Sequence, residues 1–186
     1  ILYETQRIKV DFSAGTTSIV DSDESDAREG MPDLDPTFDI GPALSVLLTN
    51  PVRPDSIWGR VAVRTAVSVD SDDWGFTQQG WVFDTRLRYQ RPLIGEVLKL
   101  SAEIGASYAD QNYLGYFYDV PPAFATPWRP TYSAGSGYAG ARLGLGLSGV
   151  YGKWRWSLFG AYMNFDGTSF ADSPLLDSKH DFSIGA

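Results

Sequence analysis

Residues 57–70 read IWGRVAVRTAVSVD, with Ile57, Val61, Val63, Val67 and Val69 opposed by Arg60, Arg64, Ser68 and Asp70. A period of two is the repeat of an extended strand, whose side chains point in turn to the two faces of a sheet. The same repeat marks eight segments in all, this one included. Residues 3–15 set Ile8, Val10 and Phe12 against Arg7, Lys9 and Asp11, with a ragged first half. Residues 37–49 set Phe38, Ile40, Leu44, Val46 and Leu48 against Asp39, Gly41, Ala43 and Ser45. Residues 80–90 alternate Trp81, Phe83, Leu87 and Tyr89 with Asp84, Arg86, Arg88 and Gln90. Residues 96–108 alternate Leu98, Leu100, Ala102 and Ile104 with Lys99, Ser101, Glu103 and Gly105. Residues 138–150, 154–165 and 180–186 complete the set, with Arg142 and Arg155 on the polar sides of the first two.

The links between these segments alternate in length. Residues 16–36, 71–79, 109–131 and 166–179 form long connections, whereas NPVRPDS, RPLIG and YGK are tight ones. Long loops at one end and short turns at the other mark an up-and-down membrane barrel. The expected fold is therefore all-β: an antiparallel up-and-down transmembrane β-barrel with eight strands in this chain. Residues 1–186 read as one barrel domain that lacks N-terminal strands and the end of its last strand, 10–12 strands being expected in the intact protein.

Composition narrows the choice. The absence of cysteine excludes a disulfide frame, a thiolate zinc site and a catalytic thiol. A net charge of −8 argues against nucleic acid, which needs a concentrated basic face. No apolar run reaches the roughly 18 residues of a membrane helix, but a membrane strand needs only about 10 alternating residues.

Alternation alone does not separate a soluble barrel from a membrane one, since both hide one face. The polar face here holds Arg60, Arg64, Asp84, Arg86, Arg88, Lys99, Glu103, Arg142 and Arg155 among glycine and serine. Arginine forks pair with carboxylates in fixed geometry, which suits side chains lining a barrel lumen. Trp58, Trp74, Trp81, Tyr89, Tyr108, Tyr151, Trp154 and Tyr162 fall near strand ends, as in the aromatic girdles of membrane interfaces. Both features favour a membrane barrel over a soluble β-domain such as a lipocalin.

Three stretches resemble the MltA-interacting protein (MipA/OmpV) family. Residues 30–46, GMPDLDPTFDIGPALSV, are similar to the family's Gly-x-Pro loop and its Glu-x-Gly-Pro strand. Residues 118–147, YDVPPAFATPWRPTYSAGSGYAGARLGLGL, resemble its Tyr-x-Val segment and the glycine-rich strand that follows. Residues 162–176, YMNFDGTSFADSPLL, resemble its Tyr, Gly-containing loop and Asp-Ser-Pro-Leu run. The resemblance implies a Gram-negative outer-membrane barrel, associated in the family's best-known member with a scaffold joining a murein hydrolase to a peptidoglycan synthase, other members looking like porins or surface antigens. It supplies no catalytic motif. The expected neighbours are outer-membrane lipid and lipopolysaccharide.

Nothing else in the chain points to chemistry, and no enzyme, cofactor or metal is expected. The single histidine, His180, stands beside Asp181 at the start of a strand, where an ordinary interfacial side chain is the plain reading. Asp72 and Asp73 read as solvated loop residues. Residues 21–35, DSDESDAREGMPDLD, hold seven carboxylates but lack the spacing of a calcium loop, so a solvated outer loop is the reading. Residues 110–132 carry Tyr113, Tyr116, Phe117, Tyr118, Phe124 and Trp128 with four stiffening prolines. Such a loop folds into the barrel mouth as a lid or presents its rings to a partner. Three functions follow: a scaffold for peptidoglycan-remodelling enzymes, a porin-like channel for small solutes, and a soluble β-barrel binding a hydrophobic ligand.

Overall fold

The alternating segments pair into one antiparallel sheet. In the computed structural model, which describes residues 1–17, 26–70, 75–95 and 97–186, the strands are β1 Tyr3–Glu4, β2 Ile8–Thr17, β3 Thr37–Leu47, β4 Ser56–Val69, β5 Phe76–Ile94, β6 Leu98–Ala109, β7 Gly137–Tyr151, β8 Trp154–Asn164 and β9 His180–Gly185. Each strand is hydrogen-bonded to its sequence neighbour, in the order β1 to β9. The sheet is a meander that is not closed: among the described residues β1 and β9 do not pair.

The strand count is nine rather than the expected eight. The ragged start of the first segment is a turn. Thr5 Oγ1 accepts from the backbone N–H groups of Ile8 at 2.9 Å and Arg7 at 3.3 Å, folding β1 back so that Tyr3 pairs with Val10. A second correction concerns the expected loop over 71–79, because β5 already begins at Phe76. Gly80 hides this: it adopts φ +126° at a bulge where Ala66 pairs with Gly80 but Val67 with Gln78. An extra residue shifts the alternation by one, so the pattern breaks although the strand continues. A Cβ at Gly80 would also lie 2.6 Å from the Tyr113 backbone nitrogen.

The sheet turns its apolar side outward. Val61 and Val63 are 41% and 40% exposed, while their neighbours Ala62 and Ala66 on the other face are 4% and 0% exposed. Ile104, Leu143, Leu145 and Leu158 are likewise exposed, and Asp39, Ser45, Ser68 and Asp84 are buried. The polar face is concave. Cα atoms of β2 and β4 approach within 8 Å across β3, closer than the roughly 9.6 Å that two strand spacings span in a flat sheet. A contiguous apolar surface of this extent is not what water-soluble monomers expose.

Among the described residues the buried apolar clusters lie at the end bearing the long connections. There α1, Gln111–Tyr118, follows β6, started by Asp110, whose carboxylate accepts from the Tyr113 N–H at 2.9 Å. Eight residues are too few to hold a helix alone, so packing must fix it. Leu114 is buried with Val82, Ala109, Ala134 and Phe170, and an adjoining cluster holds Met31, Val120 and Leu175. Segments 26–35, 110–135 and 165–176 thus share one small core across the end of the sheet.

Candidate functional site

The inner face is built by period two. Arg60, Arg64, Asp84, Arg86, Arg88, Glu103 and Arg142 all project from it and meet in ion pairs. Arg60 grips Asp11 through two hydrogen bonds, at 2.7 and 3.0 Å, and donates to Ser45 at 3.1 Å. Arg64 is ion-paired with Asp84, stands 3.8 Å from Asp39 and donates to Ser13 at 3.2 Å. The Ser107 hydroxyl donates to Asp84 at 2.5 Å. Arg88 reaches Glu103 at 2.7 Å, with Arg86 and Arg142 each 3.7 Å from the same carboxylate. Between these groups lies a cavity of 590 Å³ whose walls include Lys9, Asp11, Trp58, Arg60, Arg88 and Glu103.

Two sequence candidates lie farther along the strands. Lys99 lies on β6 opposite Ser148, towards the short turns, and Arg155 is exposed on β8. The carboxylates Asp11 and Asp39 complete the inner pairs although only their arginine partners were singled out. Their place on the polar side of the alternation was the available signal. Trp58 is a correction to the girdle: two residues before Arg60, it shares the inner face, with Lys9 Nζ 5.0 Å from its ring. Tyr108, Tyr151 and Trp154 are exposed near strand ends as expected, whereas Trp81, also exposed, lies inside β5 because that strand begins at Phe76. Trp74, Asp72, Asp73 and residues 21–25 of the acidic loop lie outside the described residues.

The aromatic loop packs over the end of this face. Tyr118 stacks on Phe170 with ring centres 3.8 Å apart, and Phe117 meets Tyr113 and Tyr116 edge-on. The Tyr116 hydroxyl donates to the Asp35 carbonyl at 3.0 Å. Phe124 packs on the second cluster, whereas Trp128, at 79% exposed, joins neither. Two arginines absent from the sequence candidates tie the loops together. Arg129 donates to the carbonyls of Ala27, Glu29 and Phe124, and Arg28 to those of Phe117 and Pro32. The Ser173 hydroxyl donates to the Tyr118 carbonyl at 2.7 Å. Buried guanidiniums require such acceptors, but loop carbonyls leave no trace in a hydropathy pattern.

Burial pushes the Tyr113 phenol above its usual range and Tyr118 up to about 12. Both phenols stay neutral in the packed end, while a released loop would ionise near 10. The packing they contribute is therefore fully present below pH about 10 and lost as pH rises towards about 12. Absorbance titration at 295 nm should show tyrosines that ionise only with loss of the end structure; simple titration of every tyrosine near pH 10 would contradict the burial.

His180 begins β9 beneath the fourth long connection. Its Nδ1 lies 2.8 Å from the Tyr162 hydroxyl and its Nε2 3.7 Å from Asp166, all three at the surface. Among the described residues no group of three or more His, Asp or Glu side chains is placed to hold a metal ion.

A curled up-and-down antiparallel sheet, with charge pairs on its concave face and apolar side chains outside, is the all-β architecture of a β-barrel wall, here not closed. The chain belongs to the family described as MltA-interacting protein MipA, whose model matches residues 1–186, the whole chain. No curated protein and no solved structure matches it.

Proposed function

We propose that this chain is the barrel of a Gram-negative outer-membrane protein that acts as a scaffold for peptidoglycan-remodelling enzymes. The family's name supports a murein enzyme, MltA, as partner. The outward apolar face supports lipid and lipopolysaccharide as the surroundings, and it argues against a soluble barrel with a hydrophobic pocket. The observation that carries the scaffold reading is the packed end. Leu114, Val120 and Phe170, at 1%, 0% and 2% exposed, form a dry core where a conducting barrel keeps its mouth open. With that end occupied and Arg60 and Arg64 held in ion pairs, the short-turn end is left to meet a periplasmic partner.

Cross-linking the full-length protein in intact envelopes and purifying it should recover a murein hydrolase of the MltA kind. Recovery of the barrel with no murein enzyme would reject the scaffold. The 590 Å³ cavity on the charged face favours a second reading, a porin-like channel for small solutes. Planar bilayers decide it: discrete conductance steps support the channel, and a silent membrane removes it.

A further inference from the structure

Charge is shared unevenly along the inner face. Nearest the packed end, one guanidinium, Arg64, meets two carboxylates, Asp39 and Asp84. Arg60 and Asp11 pair one to one. Towards the short turns the ratio reverses, with Arg86, Arg88 and Arg142 converging on the single carboxylate of Glu103. Three cations on one anion leave two positive charges unbalanced within the cluster.

Hydrogen bonding shows the same surplus. Each guanidinium has five N–H donors, and a carboxylate accepts about four hydrogen bonds. Arg88 Nε donates to Glu103 at 2.9 Å, while the nearest approach of Arg86 and of Arg142 is 3.7 Å, too long for a hydrogen bond. Among the described residues Arg142 Nε is enclosed with no hydrogen-bond partner.

Strand register then supplies a gap. Arg86, Gly105 and Arg142 occupy one row across β5, β6 and β7, so the two arginines flank a position with no side chain. A Cβ at Gly105 would stand 2.8 Å from the Thr85 carbonyl oxygen and 3.1 Å from Arg86 Cγ, so a side chain there is excluded. A cavity of 190 Å³ opens beside it, with Arg86, Gly105 and Arg142 among its walls, and Asp84, whose charge is taken up by its ion pair with Arg64, on the side towards the packed end.

We propose that this gap binds a small oxyanion, a phosphate or carboxylate group. Arg86 and Arg142 take its oxygens from opposite sides through their paired N–H groups, and Arg88 adds positive charge from the next row. Glu103, 11% exposed beneath the three guanidiniums, holds them together when the site is empty. The site goes beyond the scaffold reading and is independent of it: a barrel that binds an anion here can conduct or remain closed.

Calorimetry on the folded full-length protein in detergent tests it, with inorganic phosphate and succinate as separate probes. Saturable heat with either probe is expected, phosphate and succinate separating the two oxyanion classes. Arg86→Gln and Arg142→Gln should each weaken binding about tenfold. Glu103→Gln should strengthen it, because a competing carboxylate is gone. Lys153→Gln, in the β7–β8 turn, should change nothing. Heat-modifiable gel migration establishes that each variant is folded. Absence of saturable heat with both probes, or a Glu103→Gln variant that binds more weakly, overturns the proposal.

Discussion

Replacing Arg64 with alanine is expected to destabilise the protein by about 3 to 5 kcal/mol, the range for removing one partner of a buried ion pair. The Arg64 side chain is 11% exposed and lies against Asp39 and Asp84, themselves 11% and 9% exposed. Its loss strands two carboxylates beside Tyr113, with Ser107 the one donor to Asp84 among the described residues. Adding Asp39→Asn and Asp84→Asn should recover much of the loss. Arg88→Ala is the contrast: that side chain is 52% exposed, and exposed pairs contribute about 1 kcal/mol or less. Denaturant unfolding in micelles, followed by tryptophan fluorescence, measures both. Equal small losses at Arg64 and Arg88 would mean that water reaches the inner face freely.

Val63→Arg should cost about 2 to 4 kcal/mol in a bilayer, provided the residue lies at the midplane. Val63 stands midway along β4, whose fourteen residues run from Ser56 to Val69, and its side chain points out of the sheet. A charge there must be drawn out of hydrocarbon, whereas on a soluble sheet it would be hydrated at almost no expense. Refolding into liposomes at graded urea reports the difference. Val69→Arg, at the strand end, should cost much less, since the penalty falls towards the interface. The Val63 and Arg64 predictions probe the two faces of a single strand, and each fails separately.

Period-two spacing was enough to place seven of the nine strands and to separate their faces, because lipid or solvent outside and ion pairs inside impose opposite polarity at every step. It failed where backbone geometry interrupts the count. The Thr5 turn and the Gly80 bulge each break the repeat without breaking the sheet, blurring β1 and β2 and the start of β5. The polar side of each strand was legible from parity, though which arginine meets which carboxylate was not. Partners such as Arg60 and Asp11 lie 49 positions apart and are joined only through the curl of the sheet. Trp58 was misread because nearness to a strand end was weighed above parity, which puts it beside Arg60. The packed end was legible as a ring-rich, proline-stiffened loop. The pins that hold it, Arg28 and Arg129, act through backbone carbonyls, which every sequence supplies equally.

The central claim is that the valines of β4 face lipid and the arginines do not. The chain has no cysteine, so single cysteines introduced along residues 57–69 can carry a spin label without further change. Collision with oxygen, which concentrates in hydrocarbon, and with a polar nickel chelate, which stays in water, is then measured in liposomes. Oxygen access should peak at positions 61, 63 and 67 and fall at 60, 62, 64 and 66, with chelate access low at the first set. Chelate access that peaks at 61, 63 and 67 would put those side chains in water and contradict the account.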